Sequence, residues 1–219
     1  MLRTVLCWSG GKDCAWALRV LGESGVEVAA LVSTLDERSA TVAMHRVRRE
    51  LIEAQAAALD VPLWTVPLPW PCPNEEYERR MAGVCQRALA AGVTSMAFGD
   101  LHLADVRAYR EQKLAGTGIE ALFPLWGRPT EALAREMIAA GLEARVVSID
   151  PAVMPRETLG RAYDAAFLES LPAGVDPCGE NGEFHTFVHG GPMFRRRIPF
   201  APGETREEGG FLYADLLPA

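Results

Sequence analysis

Short, nearly continuous apolar runs alternate with segments of helical periodicity along the first half of this chain, and that alternation restricts its fold more than any other feature. Residues 2–8 form an apolar run of β type, broken by Gly10 and Gly11. Ala15, Leu18 and Leu21 then recur at helical spacing, in a helix expected to start near Lys12 or Asp13 and to stop before Gly22 and Gly25. Residues 26–32 read as a second buried strand, and residues 45–59 as a long amphipathic helix with Val47, Leu51, Ala54 and Ala58 on one face. A third strand at 62–66, a helix at 75–91 and a fourth strand at 94–98 follow. Strands this apolar suit a sheet covered on both faces, so the order β-α-β-α-β-α-β predicts an α/β, doubly wound parallel sheet. With 219 residues there is room for one such core and an appended subdomain.

Beyond residue 100 the rhythm loosens. Helices are expected at 103–115 and 130–140, a strand at 143–149, and one helix or two short ones at 155–171. From Pro172 onward Gly and Pro dominate, with short apolar pieces at 184–188 and 211–216, which suggests a small extra sheet or a loop-rich cap. The expected division is 1–123 for nucleotide binding and 124–219 for a smaller C-terminal α+β substrate or cap subdomain. The segment 66–74, with prolines at 67, 69, 71 and 73, reads as a stiff connection or a rigid lid.

The most informative stretch is VLCWSGGKDC, residues 5–14. A strand runs into Ser9-Gly10-Gly11 and a helix follows, so backbone N–H groups and a helix N-terminus converge beside the Lys12 charge. That is a phosphate cradle in chemical terms, although a tight βα turn would use the same glycines. It is not G-x-x-x-x-G-K-[ST], because Asp13 follows Lys12, and it is not G-x-G-x-x-G. A carboxylate inside such a cradle repels phosphate unless a cation lies between them, which points to Mg2+ at Asp13.

Ser9-Gly10-Gly11-Lys12-Asp13-Cys14 resembles the PP-loop, S-G-G-x-D-S, of the ATP pyrophosphatases, with Cys14 in place of the usual Ser. FGDLHLADVRAYRE (98–111) and CGENGEFHTFVHGGPMF (178–194) narrow the resemblance to the diphthine–ammonia ligase family, a group of adenine-nucleotide α-hydrolase-like (HUP) proteins, in its bacterial-type form. PLWG (124–127) and residues 45–63 agree with it. The resemblance implies an ATP pyrophosphatase-type ligase: a carboxylate is adenylated, pyrophosphate and AMP are released, and ammonia is transferred. It implies that Ser9, Gly10, Gly11, Lys12, Asp13 and Cys14 bind ATP with Gly99 and Asp100, and that Thr34, after the second strand, lies near the adenosine. Asp13 and Asp100 would orient Mg2+; Lys12, Asp13 and Glu183 would be catalytic, Glu183 as a base; Glu180, Glu183 and His185 would face the acceptor.

Each of these has a plainer reading. Asp100 would also serve as a helix cap, and Asp105, Arg107 and Arg110 as a surface ion-pair set. Glu183 and His185 share one face if they lie on a strand, whereas His185 and His189 would be about 13 Å apart there, too far for a metal pair. His45 and His102 read as ordinary surface or capping residues, and Arg195-Arg196-Arg197 as a solvated face or a dock for an acidic partner.

Composition limits the alternatives. The net charge of -7 disfavours an extended nucleic-acid footprint, and with it a tRNA-modifying PP-loop enzyme, and the five cysteines show no C-x-x-C. An ATP-binding sensor without catalysis would need neither Lys12-Asp13 nor the glutamate-rich turn. Scattered, odd-numbered cysteines and the absence of a signal-peptide pattern or a run near 20 apolar residues predict reduced thiols, a cytoplasmic location and no membrane partner. A homodimer is compatible with a protein of this size.

Overall fold

The structure, a computed structural model, describes residues 2–219. Its first sheet is parallel throughout, with strands in the order β3-β2-β1-β4-β5. These are β1 (Arg3–Cys7), β2 (Glu27–Asp36), β3 (Leu63–Leu68), β4 (Ser95–Ala97) and β5 (Glu120–Leu122). The connecting helices are α1 (Lys12–Glu23), α2 (Arg49–Leu59), α3 (Asn74–Ala90) and α4 (Ala104–Leu114). The order reverses between β1 and β4, and a crevice therefore opens at their carboxyl ends, where open α/β sheets bind ligands.

Alternation along the strands sorts the core into two layers. Val5, Ala30, Val32 and Met96 face Val84, Cys85 and Ala88 of α3. Leu6, Leu31 and Leu35 face the opposite way, into a cluster that also holds Trp16, Leu51, Ile52, Phe184 and Phe187. That second cluster runs without a break into the C-terminal region. There α5 (Thr130–Ala139), β6 (Glu143–Ile149), α6 (Ala165–Glu169), β7 (Phe184–Gly190), β8 (Phe200–Glu208) and β9 (Phe211–Pro218) follow in chain order. Its four strands form an antiparallel sheet in the order β7-β6-β9-β8. Phe167 of α6 packs edge-on against Phe184 with ring centroids 5.1 Å apart, and both are fully buried. No helix among the described residues is long and apolar enough to cross a membrane.

Several elements differ from expectation. β2 runs four residues past Val32, so Thr34 lies within the strand and not after it. The helix expected from residue 45 starts at Arg49, because Met44 and Arg46 have positive φ and Val42 N–H bonds the Val47 carbonyl at 2.8 Å. β5 and β8 were not legible: β5 has three residues, and β8 is exposed along most of its length and lacks an apolar face. Residues 155–171 hold two short helices, in agreement with the second of the two expectations there: a 3-10 turn at Arg156–Thr158 and the five-residue α6. The four-proline segment is a connection: Pro67 lies in β3, and Pro73 occupies the N-cap position of α3.

Candidate functional site

The site grows from the turn between β1 and α1. Gly10 has φ +82°, and a Cβ there would come within 2.7 Å of Ile52 Cδ1. A Cβ on Gly11 would lie 2.9 Å from His45 Cε1, so both glycines answer to packing as well as to the turn. Gly99, at the end of β4, makes the same provision on the other side, where a Cβ would stand 3.0 Å from the Cys14 nitrogen. Gly11, the N-cap residue of α1, brings no side chain to the helix N-terminus, and Lys12, Asp13 and Cys14 of the first turn line the crevice. Ser9 Oγ accepts from Gly11 N–H at 3.3 Å, and Lys12 N–H donates to Thr186 Oγ1 at 3.1 Å. The Cys14 thiol donates to the Gly11 carbonyl at 3.0 Å, closing the loop on itself.

Gln55 of α2 fastens this loop to the second sheet. Its amide nitrogen donates to the carbonyls of Gly10 at 3.0 Å and Val188 at 2.6 Å, while its oxygen accepts from Trp8 Nε1 at 2.8 Å. Val188 N–H also donates to the Gly10 carbonyl, at 2.9 Å. A fully buried amide with its polar atoms paired fixes geometry at little cost.

The Lys12 side chain is only 2% exposed. Its ammonium pairs with Asp13 Oδ2 at 2.8 Å, donates to the Cys178 carbonyl, and lies 5.4 Å from the Phe184 ring centroid and 5.7 Å from that of Tyr163. Burial opposes that charge, but Asp13 and its neighbours outweigh burial and raise the Lys12 pKa. Burial pushes the Asp13 carboxyl up against the pull of Lys12. Asp13 Oδ1 is shut off from solvent with no partner, an orphaned anionic oxygen suited to a cation.

Residues 176–183 close the crevice from above. Glu180 Oε1 accepts from Leu101 N–H at 2.7 Å and His102 N–H at 3.3 Å, tying this turn to the loop after β4. Burial raises the Glu180 pKa, against those two N–H groups. Glu183, expected as a base, is turned into its own loop instead. Its oxygens accept from Asp176 N–H at 3.0 Å, Asn181 N–H at 3.0 Å and Asn181 Nδ2 at 2.9 Å, so it shapes the turn and does not face the crevice. Asp100, expected to share a cation with Asp13, is ion-paired with Arg110 at 2.6 Å. Arg110 in turn stacks 4.3 Å from the Phe98 ring centroid, so it belongs to the crevice wall and not to a surface ion-pair set.

Between these parts lies a cavity of about 390 Å³. Ser9, Lys12, Asp13, Cys14, Thr34, Gly99, Asp100, Glu180 and His185 all line it, whereas Gly10 and Gly11 do not. His45 lines it too. Its ring lies 4.6 Å from that of His185, and its Nδ1 is 3.1 Å from the Thr186 carbonyl oxygen. Both rings are held neutral: burial lowers the His185 pKa to about 4, with Lys12 adding to the effect, and burial and His185 lower that of His45 well below the ordinary value. The sequence alone reads His45 as a surface or capping residue, because it falls inside an apparent helix and no spacing signal marks it. His102 is exposed. Arg195 and Arg197 pair with Asp60 and Glu143. Among the described residues no group of three or more His, Cys, Asp or Glu could hold a metal ion by itself.

The family model described as the diphthamide synthase N-terminal domain matches residues 2–119, and that of the diphthamide synthase C-terminal domain matches residues 129–213. A Rattus norvegicus protein named diphthine–ammonia ligase is 27% identical over 224 residues, which cover 90% of this chain and 82% of that protein. The Homo sapiens protein of the same name is 25% identical over the same coverage. The Schizosaccharomyces pombe protein of that name is 24% identical over 218 residues; the match takes in 91% of this chain but only 36% of that longer relative.

Proposed function

Because the chain belongs to the diphthamide synthase family, we propose that it is an ATP-dependent ligase that forms a carbon–nitrogen bond through an acyl-adenylate. A carboxylate attacks the α-phosphorus of ATP, pyrophosphate leaves, and ammonia displaces AMP from the activated acyl group. Diphthine is the carboxylate that the relatives' name specifies.

The observation that carries this reading is the meeting of a glycine-shaped helix N-terminus with the orphaned Asp13 Oδ1 in one polar cavity. In this scheme Ser9, Gly10, Gly11, Lys12 and Cys14 receive the β- and γ-phosphates, and Thr34 and Gly99 border the nucleoside. Asp13 would hold Mg2+, which would neutralise polyphosphate charge and favour departure of pyrophosphate. Asp100 acts with Arg110 at the opposite wall, and Glu180 and His185 face the acceptor. Glu183 positions the turn that presents Glu180. Most of the rate comes from orientation and charge neutralisation.

The test is product analysis with Mg-ATP, ammonium chloride and a diphthine-bearing protein. AMP and pyrophosphate are expected in equal amounts. Asp13→Asn, which keeps the shape and removes the charge, should lower turnover roughly 100-fold. Release of ADP and phosphate instead would exclude the adenylation scheme.

A further inference from the structure

We infer that His45, with the His185 ring tilted against it, receives the nitrogen nucleophile, ammonia, in the cavity beside the phosphate loop. This rests on the ligase reading above and gives its second half-reaction a seat.

The argument begins with a carbonyl. The Thr186 oxygen can only accept a hydrogen bond, so Nδ1 of His45, 3.1 Å away, carries the proton. In a neutral ring the lone pair then belongs to Nε2. His185 adds a second imidazole, whose Nε2 is closed to solvent and without a partner. Both rings line the cavity that holds Lys12 and Asp13, and His45 abuts Gly11 of the loop itself.

A neutral lone-pair acceptor is an unusual neighbour for a phosphate cradle. Phosphate and carboxylate oxygens are acceptors themselves and gain nothing from it. Ammonia brings N–H donors.

The step balances. The ammonia lone pair forms the N–C bond, and the C–O bond to AMP breaks with its electron pair going to AMP. The N–H proton that nitrogen loses passes to water, while His45 Nε2 accepts a hydrogen bond that orients the nucleophile. Glu183, whose oxygens are committed to its own turn, does not compete for that proton.

Ring-nitrogen NMR of isotope-labelled, full-length protein tests the assignment without any acceptor. Ammonium chloride at alkaline pH should shift His45 Nε2 saturably, and equal potassium chloride should not. His45→Phe should abolish the cavity response seen at His185, and His45→Gln, which keeps an acceptor atom, should retain part of it. His102→Phe, on an exposed loop, should keep all of it. In turnover with a diphthine-bearing protein, His45→Phe should raise KM for ammonia about tenfold. An unresponsive His45 ring, or a proton found on Nε2 and not Nδ1, would overturn the inference. If wild-type protein releases no AMP and pyrophosphate, the ligase reading fails, while the NMR titration still decides the nitrogen site.

Discussion

Gly10 shows how a single residue can carry both turn and packing. Its φ of +82° lies where L side chains are strained, and the space beyond its missing Cβ belongs to Ile52 and Gln55. Gly10→Ala should therefore destabilise the protein by about 2 kcal/mol and weaken ATP binding more than tenfold. Calorimetric titration with ATP, set beside a urea melt, separates the two effects. Asp13 is a different case: its orphaned oxygen weakens the folded protein as it stands. Its other oxygen, however, pairs with the buried Lys12 ammonium, so Asp13→Asn should lower the melting midpoint as well as turnover.

Among the elements, α2 has the widest reach. Through Gln55 it holds the β1–α1 loop on one side and β7 on the other, and just before its first turn Arg48 forms a bidentate pair with Asp215 of β9 at 2.8 and 2.6 Å. Gln55→Leu keeps the bulk but strips partners from the Trp8 indole and the Val188 carbonyl. It should cost about 3 kcal/mol in urea unfolding. It should also loosen the loop, which hydrogen exchange at Gly10, Gly11 and Lys12 would report. The start of α2 was not legible in the sequence. Residues 45–48 continue its apolar period through Val47, yet positive φ at Met44 and Arg46 bends them into bridges with residues 41 and 42. Periodicity records which side chains are apolar, and Val47 is buried in either arrangement.

At the scale of the whole molecule, one core joins the parallel sheet to the antiparallel one, and the two neutral histidines lie where they meet. Unfolding frees His185 to take a proton below its ordinary pKa of 6.5, while in the folded chain it resists until about 4. Between these values the unfolded chain binds more protons, so stability rises with pH across the window and is complete above it. The loss on acidification from pH 6.5 to 4 should be roughly 3 kcal/mol for His185, with His45 adding to it. Urea melts across that range would measure it, and His185→Gln should flatten the slope.

The parallel sheet, the glycine turn between β1 and α1, and the family were legible in residue spacing. They depend on local pattern: apolar runs in alternation, glycines where a strand meets a helix, and a Lys-Asp pair directly after them. Which acidic and basic groups remain available at the site follows only from long-range packing. Glu183 is spent on Asn181 and Asp176, Asp100 on Arg110, and Glu180 on the loop after β4, while His45 is brought to the cavity from a segment that read as helix. The physical reason is that a side chain's role depends on what pairs with it. The partners here come from residues as far apart as 45 and 186, a separation that no local pattern encodes.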